Sequence, residues 1–364
     1  MAPPVPPAVT PLSERNRRRG WPSALAQAGL GAAGVAVLAA CRGTPSAEVI
    51  AADGVLCDIT RRLAATDLTV QCLLTPQDDP HQFQLTPTQS RDLRQAQLVL
   101  INGYALTPTL ERLTNAIPVA ERAVPDSPRL ATGRESHGAA AELNHQDHDH
   151  PPEPTKAHPE HHHRGRDPHV WHDPMQAAAL VAEVSEQLQQ LRPAAAAAIR
   201  QRAAAMTQTL SALDGWNRLQ FATLPAQPGQ RTLATGHRAF PSLSRAYGLR
   251  ELAVVDEHSA SESLRPQALS AAVKRLQQER VPALFSETWP PSRALSRISA
   301  LSGVKLAPQP LRADGLAPAS ATGGREGDLI STLTANTCLI VDQLGGRCNS
   351  SGQQQLIRQW QAIR

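Results

Sequence analysis

A long alanine-rich stretch divides the chain into two parts and limits the folds that it can adopt. Residues 193–224 form one run with helical spacing, and Pro193 suits the first turn of a helix. At 1.5 Å per residue, such a helix spans on the order of 45 Å. On each side of it, strand-like apolar runs alternate with helical segments. This pattern predicts an α/β fold with two lobes, each a parallel sheet flanked by helices, joined by one long rigid backbone helix.

The strand-like runs define the two lobes. We predict strands at 47–53, 68–74, 96–103, 231–237, 251–257, 282–287 and 305–311. The N-terminal lobe then covers residues 47–192, the linking helix covers 193–224, and the C-terminal lobe covers 225–364. Ligands of parallel α/β sheets bind beyond the carboxyl ends of the strands, so a site is expected in the loops that follow these runs.

The first 46 residues have the features of an export signal. A charged segment, ERNRRRGW, precedes the apolar run ALAQAGLGAAGVAVLAA, which is shorter than the ~20 strongly apolar residues of a membrane-spanning helix. The run ends in LAAC, which resembles a bacterial lipoprotein cleavage site. We therefore expect residues 1–40 to be a lipoprotein signal peptide, Cys41 to carry lipid and residues 41–46 to form a tether. An ordinary signal peptide and a single anchoring helix are the alternatives.

The positive charge of the chain is concentrated in the same N-terminal segment. Residues 1–40 carry a net charge of +3, out of +4 for the whole chain. The remainder has no stripe of lysine and arginine that could neutralise phosphates, so we expect no nucleic-acid partner despite the sequence pI near 9.0.

The five cysteines can be divided between lipidation and disulfide formation. Besides Cys41, the chain has Cys57 and Cys72, and Cys338 and Cys348. In an oxidising compartment, two local disulfides can form, Cys57–Cys72 and Cys338–Cys348. A cysteine-based metal site is the alternative, although no C-x2-C pair is present.

Most of the histidines lie in one polar segment. It contains His137, His145, His148, His150, His158, His161, His162 and His163. The surrounding residues, about 133–166, are rich in histidine and proline and predict a disordered loop. The histidines lack a fixed spacing such as H-E-x-x-H, so we expect accessory, weak metal binding here. A solvated insert with no role in transport is the alternative.

Four other potential ligands lie in predicted loops. They are His81, His169, His237 and Asp314. Imidazole nitrogen and carboxylate oxygen suit four-coordinate Zn²⁺ and, less selectively, Mn²⁺ or Fe²⁺. A single histidine at a strand end is more often a satisfied polar residue than a ligand. The unit Asp-Pro-His occurs twice, however, at 79–81 and 167–169, and proline restricts the residue before it to extended or turn conformations.

Several longer stretches resemble a known family. They are DDPHQFQLTPTQSRDLRQAQLVLINGYAL, DPHVWHDP, TGHRAFPSLSRAYGL and FSETWPPSRALSRISALSGVKL. Over about residues 47–345, the chain resembles the metal-binding component of cluster A-I ABC importers, which are periplasmic or surface lipoproteins that capture zinc or manganese. The resemblance implies a non-enzymatic, lipid-anchored monomer that holds metal between two lobes and delivers it to a permease with its ATPase. The chain has no P-loop with which to power transport itself.

The resemblance also implies residue roles. The implied ligands are His81, His169, His237 and Asp314. Glu287 and His172 are candidates for contacting the ligands rather than the metal, although we expect His172 to be exposed because one tight site needs only four ligands. The His-rich loop and the third histidine ligand are typical of the zinc-selective branch, so the expected cargo is Zn²⁺, with Mn²⁺ as an alternative.

Three other functions compete with a zinc importer component. They are a manganese- or iron-binding importer component, a His-rich zinc buffer and, less favoured, a zinc hydrolase. A hydrolase needs an open coordination position and a general base near the metal. The sequence has neither H-E-x-x-H nor G-x-S-x-G, so we expect no enzymatic activity.

Overall fold

The computed structural model describes residues 47–129, 165–227, 229–255, 265–318 and 327–364. The predicted signal peptide, Cys41, the tether and the eight histidines of the predicted loop lie outside the described residues. Within the described ranges, no helix combines the length and the apolar character needed to cross a bilayer.

Four parallel strands form the sheet of the N-terminal lobe. They are β1 (Val49–Ala51), β2 (Val70–Cys72), β3 (Leu98–Ile101) and β4 (Ala116–Pro118), in the spatial order β2-β1-β3-β4. Ile50 lies opposite Gln71 on one side and Val99 on the other. The helices of this lobe are α1 (Gly54–Ala64), α2 (Pro87–Gln95), α3 (Val119–Ala123) and α4 (Pro174–Leu191).

Three parallel strands form the second sheet. They are β5 (Thr232–Thr235), β6 (Arg250–Ala253) and β7 (Leu284–Phe285), in the order β6-β5-β7. The accompanying helices are α6 (Pro241–Tyr247), α7 (Pro266–Glu279) and α8 (Arg293–Ser302). Both sheets are parallel and carry helices between their strands, which confirms the predicted α/β class.

Side chains at the helix starts explain where two of the helices begin. Asp53 precedes α1, and its Oδ1 accepts a hydrogen bond from Leu56 N at 2.9 Å. Thr86 precedes α2 and forms a capping box with Gln89, while Pro87 occupies the first turn. These caps satisfy backbone N–H groups that have no partner inside the helix.

One long helix connects the lobes, as the alanine-rich run predicts. A 3-10 turn (Pro193–Ala195) leads into α5 (Ala196–Phe221), whose 26 residues extend about 39 Å. Ile199 and Leu213 on α5 belong to the apolar core of the N-terminal lobe, and Phe221 at its end belongs to the core of the C-terminal lobe.

The last two helices return to the N-terminal lobe, which differs from the predicted C-terminal lobe of residues 225–364. They are α9 (Leu329–Gln343) and α10 (Ser350–Gln361). Leu333 and Trp360 pack into the core of the N-terminal lobe. Ile340, near the end of α9, packs into the core of the C-terminal lobe. Both α5 and α9 therefore span the two lobes.

The strand predicted at 305–311 is wrong. The structure has only a single bridge there, between Leu284 and Leu306. Pro308 and Pro310 lack the N–H groups that a strand ladder requires, and the chain bends at Pro308 and Gln309 instead of continuing the sheet.

Both predicted disulfides are present. Cys57 on α1 is bonded to Cys72 on β2, and Cys338 on α9 is bonded to Cys348 just before α10. The Cα–Cα distances are 5.5 and 5.1 Å, within the usual range for a disulfide.

Candidate metal centre

Three imidazole rings meet at one carboxylate oxygen. Asp314 Oδ1 lies 3.0 Å from His169 Nε2, 3.1 Å from His81 Nε2 and 3.3 Å from His237 Nε2. Ligand atoms from the four residues all lie within 4.8 Å of one another. The structure thus brings together all four residues predicted as ligands.

Each of the four side chains comes from a different segment. His81 lies between β2 and α2, and His169 directly precedes a 3-10 turn (Val170–His172) that leads into α4. His237 follows β5 by two residues, and Asp314 lies between α8 and α9. Two segments belong to each lobe, so the cluster lies between the lobes at the carboxyl ends of strands.

The repeated Asp-Pro-His unit folds in the same way both times. Asp79 Oδ1 accepts a hydrogen bond from His81 N at 2.9 Å, and Asp167 Oδ1 accepts one from His169 N at 2.9 Å. Aspartate commonly hydrogen-bonds the backbone two residues further on, which forms a compact turn. The sequence repeat therefore directs two imidazoles from two separate loops toward one point.

The third imidazole is held by a carboxylate that follows β7. Glu287 Oε1 accepts a hydrogen bond from His237 N at 3.0 Å and lies 3.5 Å from His237 Nδ1. Glu287 is 7 % exposed, and its Oε2 has no hydrogen-bond partner among the described residues. Glu287 thus contacts a candidate ligand and lies outside the four-residue cluster.

An asparagine at the end of β3 fixes the second Asp-Pro-His loop. Asn102 Nδ2 donates to the carbonyl of Pro168 at 2.8 Å and to that of Gly103 at 3.1 Å. Asn102 is 3 % exposed. The position of the loop that carries His169 is therefore determined by the edge of the sheet.

His172 is buried, and the expectation that it is exposed is wrong. Its exposed fraction is 1 %, and its ring packs against that of Phe240 with centroids 4.6 Å apart. Its Nε2 donates to the carbonyl of Ala313 at 2.9 Å, one residue before Asp314. Burial and the charge of the neighbouring His169 lower the pKa of His172 to about 4, so the ring is neutral at physiological pH. His172 therefore supports the Asp314 segment from the other lobe.

Opposite charges dominate the electrostatics of the cluster. Burial by itself raises the pKa of Asp314, but the charge of His237 and hydrogen bonds from the three imidazoles hold that pKa well below its usual range. Burial lowers the pKa of His237, yet the charge of Asp314 and contacts with Asp314 and Glu287 raise it well above the ordinary value. For His169, hydrogen bonds to Asp167 and Asp314 outweigh burial and raise the pKa.

This donor set fits a small divalent cation. Three imidazole nitrogens and one carboxylate oxygen match the four-coordinate sites of Zn²⁺. The observed nitrogen–oxygen distances of 3.0 to 3.3 Å resemble the ~3.3 Å between neighbouring ligand atoms that 2.0–2.1 Å bonds give in a tetrahedron. His169 and His237 are almost fully buried, whereas the Asp314 side chain is 26 % exposed, so the cluster opens on the aspartate side.

Sequence reasoning did not identify two residues that support the cluster. Asn102 and Asp167 hold the loop and the ring of His169. The second Asp-Pro-His unit was the available signal for Asp167. For Asn102, the only signal was its place directly after β3.

Comparisons with known proteins give a consistent family. The family model described as "ZnuA: Zinc-uptake complex component A periplasmic" matches residues 49–343. The zinc-binding protein TroA of Treponema pallidum is 28% identical over 242 residues, covering 66% of this chain and 70% of TroA. The manganese-binding lipoprotein MntA of Halalkalibacterium halodurans is 24% identical, covering 71% of this chain and 77% of MntA. The iron-binding protein YfeA of Yersinia pestis is 23% identical, covering 71% of this chain and 75% of YfeA.

Solved structures share the fold. The structure of the periplasmic zinc-binding protein TroA from Treponema pallidum matches with a TM-score of 0.66 and 25% identity, covering 82% of this chain and 99% of that one. The Fe(III)-bound YtgA of Chlamydia trachomatis matches with a TM-score of 0.66 and 20% identity, covering 83% and 99%. The two-lobe architecture with its long connecting helix is therefore that of these binding proteins.

Proposed function

The chain belongs to the ZnuA family of periplasmic zinc-uptake components, and from this premise we propose that it captures Zn²⁺ between its lobes and delivers the ion to an ABC-type importer. Like its relatives, it is a metal-binding, substrate-binding component and not an enzyme. Its function therefore implies a permease and an ATPase made by other chains.

We assign the captured ion to His81, His169, His237 and Asp314. The convergence of three Nε2 atoms on Asp314 Oδ1 supports this assignment. Glu287 and His172 act on the ligands and their segments without touching the ion.

The donor set favours zinc over the other cargoes of the family. The names of the relatives include zinc, manganese and iron, so family membership alone leaves the metal open. Three imidazoles with a single carboxylate suit Zn²⁺, whereas Mn²⁺ favours sites richer in oxygen. A manganese- or iron-binding component is the alternative that a direct comparison of affinities tests.

We also propose how the chain is placed in the cell. Residues 1–40 act as a lipoprotein signal peptide, lipid on Cys41 anchors a monomer to the membrane, and residues 41–46 form the tether. The His-rich segment, about 133–166, acts as an accessory that binds zinc weakly.

Competitive calorimetry tests the proposal. Zn²⁺ and Mn²⁺ are titrated into residues 42–364, either intact or lacking 137–163, each with and without His237→Ala. We expect the shortened protein to keep one tight zinc site that His237→Ala removes. His172→Ala, which deletes a buried imidazole that is not among the four assigned ligands, is the matched control and should keep a stoichiometry of one.

Two outcomes would contradict the proposal. Loss of tight binding on deletion of 137–163, together with no effect of His237→Ala, would identify a His-rich buffer. Tighter binding of Mn²⁺ than of Zn²⁺ to the shortened protein would assign manganese as the cargo.

A further inference from the structure

A buried carboxylate next to the metal cluster joins the two lobes. Asp167 is 0 % exposed and lies two residues before His169. Its two oxygens face different lobes. We infer that Asp167 is a positioning residue that couples contact between the lobes to the orientation of His169, an inference that rests on His169 being a ligand as proposed above.

The first oxygen of Asp167 orients the imidazole. Oδ1 accepts from His169 N at 2.9 Å and lies 3.2 Å from His169 Nδ1. A carboxylate only accepts, so Nδ1 carries a proton, and when Nε2 gives up its own proton to bind metal its lone pair is directed at the cluster. Carboxylates of this kind fix the tautomer and ring orientation of metal-binding histidines.

The second oxygen binds the other lobe. Oδ2 accepts from Ser242 Oγ at 2.6 Å and from Ser242 N at 3.1 Å. Ser242 is 0 % exposed and lies in the first turn of α6, where backbone N–H groups lack partners within the helix. Hydrogen bonds from neutral donors to a charged acceptor are short and strong, as the 2.6 Å distance indicates.

Among the described residues, the backbone of Asp167 hydrogen-bonds only to the N-terminal lobe. Its N donates to Pro128 O at 2.8 Å, and its carbonyl accepts from Ser127 Oγ at 2.6 Å. A displacement of α6 relative to this lobe therefore removes the donors on Oδ2 while the backbone stays in place. The carboxylate then rotates, His169 loses its orienting partner, and metal dissociates faster.

Only a carboxylate serves both ends of this contact. In Asp167→Asn, one oxygen becomes an NH2 group, which cannot accept from the hydroxyl and N–H of Ser242 while the remaining oxygen faces His169. We expect about 10- to 100-fold weaker zinc binding, the range found for partners that orient metal-binding histidines.

A serine pair on α6 gives a milder, matched test. Ser242→Ala removes only the hydroxyl donor to Oδ2. Ser244→Ala is the control, because Ser244 Oγ is buried on the same helix and has no hydrogen-bond partner among the described residues. The rate of zinc loss from residues 42–364 lacking 137–163 is measured by mixing the loaded protein with excess chelator. Ser242→Ala should raise this rate by up to about tenfold, and Ser244→Ala should leave it unchanged.

A double-variant comparison separates positioning from general destabilisation. When the Gln176 amide is oriented so that its oxygen accepts and its nitrogen donates, the nitrogen also donates to Ser242 Oγ at 3.0 Å. Ser242→Ala removes this contact too, which is a structural effect that does not pass through Asp167. That part persists in the Asp167→Asn background, whereas the effect transmitted through Asp167 disappears. We therefore expect Ser242→Ala to raise the rate of zinc loss by a smaller factor once Asp167 is asparagine.

Two results would overturn the inference. One is an unchanged rate of zinc loss in Ser242→Ala, and the other is an equal increase in both backgrounds. His169→Ala keeps the two proposals distinguishable. If it retains tight zinc binding, the assignment of the site fails; if it abolishes binding while Ser242→Ala does nothing, only the coupling through Asp167 fails.

Discussion

At the scale of single residues, the candidate site is a competition between protons and metal for the same nitrogen atoms. When no metal is bound, the charge of Asp314 favours protonation of His169 and His237, so both imidazole pKa values are raised and that of Asp314 is lowered. Metal binding needs neutral imidazoles and so releases these protons. Capture of zinc therefore weakens as the solution becomes more acidic.

The metal-free protein should become less stable as pH rises above neutrality. The unfolded-state pKa of histidine is about 6.5, and the folded-state pKa values of His169 and His237 lie above it. Their stabilisation is complete below about pH 6.5 and is lost as pH rises through the raised values. We expect the melting temperature of the metal-free protein to fall as pH rises above about 6.5, and the stabilisation by zinc to grow, both measured by calorimetric scans.

A comparison with His237→Ala isolates the imidazole contribution. Burial raises the pKa of Glu251 to about 7, so this carboxyl also lowers stability as pH rises from its ordinary pKa of 4.5 towards 7. Glu251 titrates in both proteins, so the difference between their melting curves reports His237. A difference that does not change with pH would contradict the assigned charge pairs.

Replacement of His172 should destabilise the fold while leaving the number of metal sites unchanged. His172→Ala leaves a cavity beside Phe240 and removes the donor to the Ala313 carbonyl. We expect a loss of about 3 kcal/mol in the free energy of unfolding, measured by urea denaturation without metal. Trp289→Ala is the control, because Trp289 is 61 % exposed and its loss should change stability by only about 0.5 kcal/mol. Loss of the zinc site in His172→Ala would show that His172 is itself a ligand.

At the scale of secondary structure elements, one carboxylate ties three helices together. Asp58 on α1 accepts from Trp360 Nε1 of α10 at 2.8 Å and from Leu329 N at the start of α9 at 3.0 Å. Its other oxygen accepts from Arg62 Nε at 2.8 Å, and Arg62 donates to the carbonyl of Trp360. The C-terminal helices are thus fixed to the N-terminal lobe by polar contacts as well as by apolar packing.

Removal of this carboxylate should loosen α9 and α10. Asp58→Ala leaves an indole N–H and a guanidinium largely buried without their acceptor, and we expect a loss of about 3 kcal/mol, measured by chemical denaturation. Glu279→Ala breaks the largely exposed pair with Arg250 and should cost less than about 1 kcal/mol. Equal losses in the two variants would contradict the role given to Asp58.

An element could be predicted from the sequence when the residues that determine it lie within or next to that element. The strands and helices that bring His81, His169 and His237 to the site follow from apolar alternation and from capping residues such as Thr86. The segment 305–311 has strand-like composition, but its prolines prevent a ladder. The strand β4 was missed because three residues ending in a proline give no periodic signal.

At the scale of the whole molecule, the cluster of four side chains depends on contacts that span most of the chain. The Asp-Pro-His units, the family resemblance and strand-end positions were enough to predict the four residues. The interlobe contacts were not predictable in the same way. Asp167 and Ser242 are 75 residues apart, and neither residue alone indicates a contact between lobes. The burial of His172 likewise results from Phe240 in the other lobe.

The lobes should move little when metal binds. Both α5 and α9 have residues in the cores of both lobes, so a wide opening would break packing at both ends. We expect zinc to change the radius of gyration by less than about 1 Å, measured by small-angle scattering on residues 42–364 lacking 137–163. The same protein carrying His237→Ala serves as the unresponsive control. A decrease of more than about 2 Å on adding zinc would show a large closing motion instead.

Because α9 and α10 pack against the N-terminal lobe, the second half of this chain cannot be exchanged as an independent folding unit. A hybrid gene that exchanges everything after residue 225 with that of a relative would also replace Leu333 and Trp360, which pack among N-terminal residues. Such a hybrid mixes two incompatible halves of one core. We therefore expect a hybrid to fold when the terminal helices stay with their original N-terminal partner, so that the whole chain rather than either lobe behaves as the exchangeable unit.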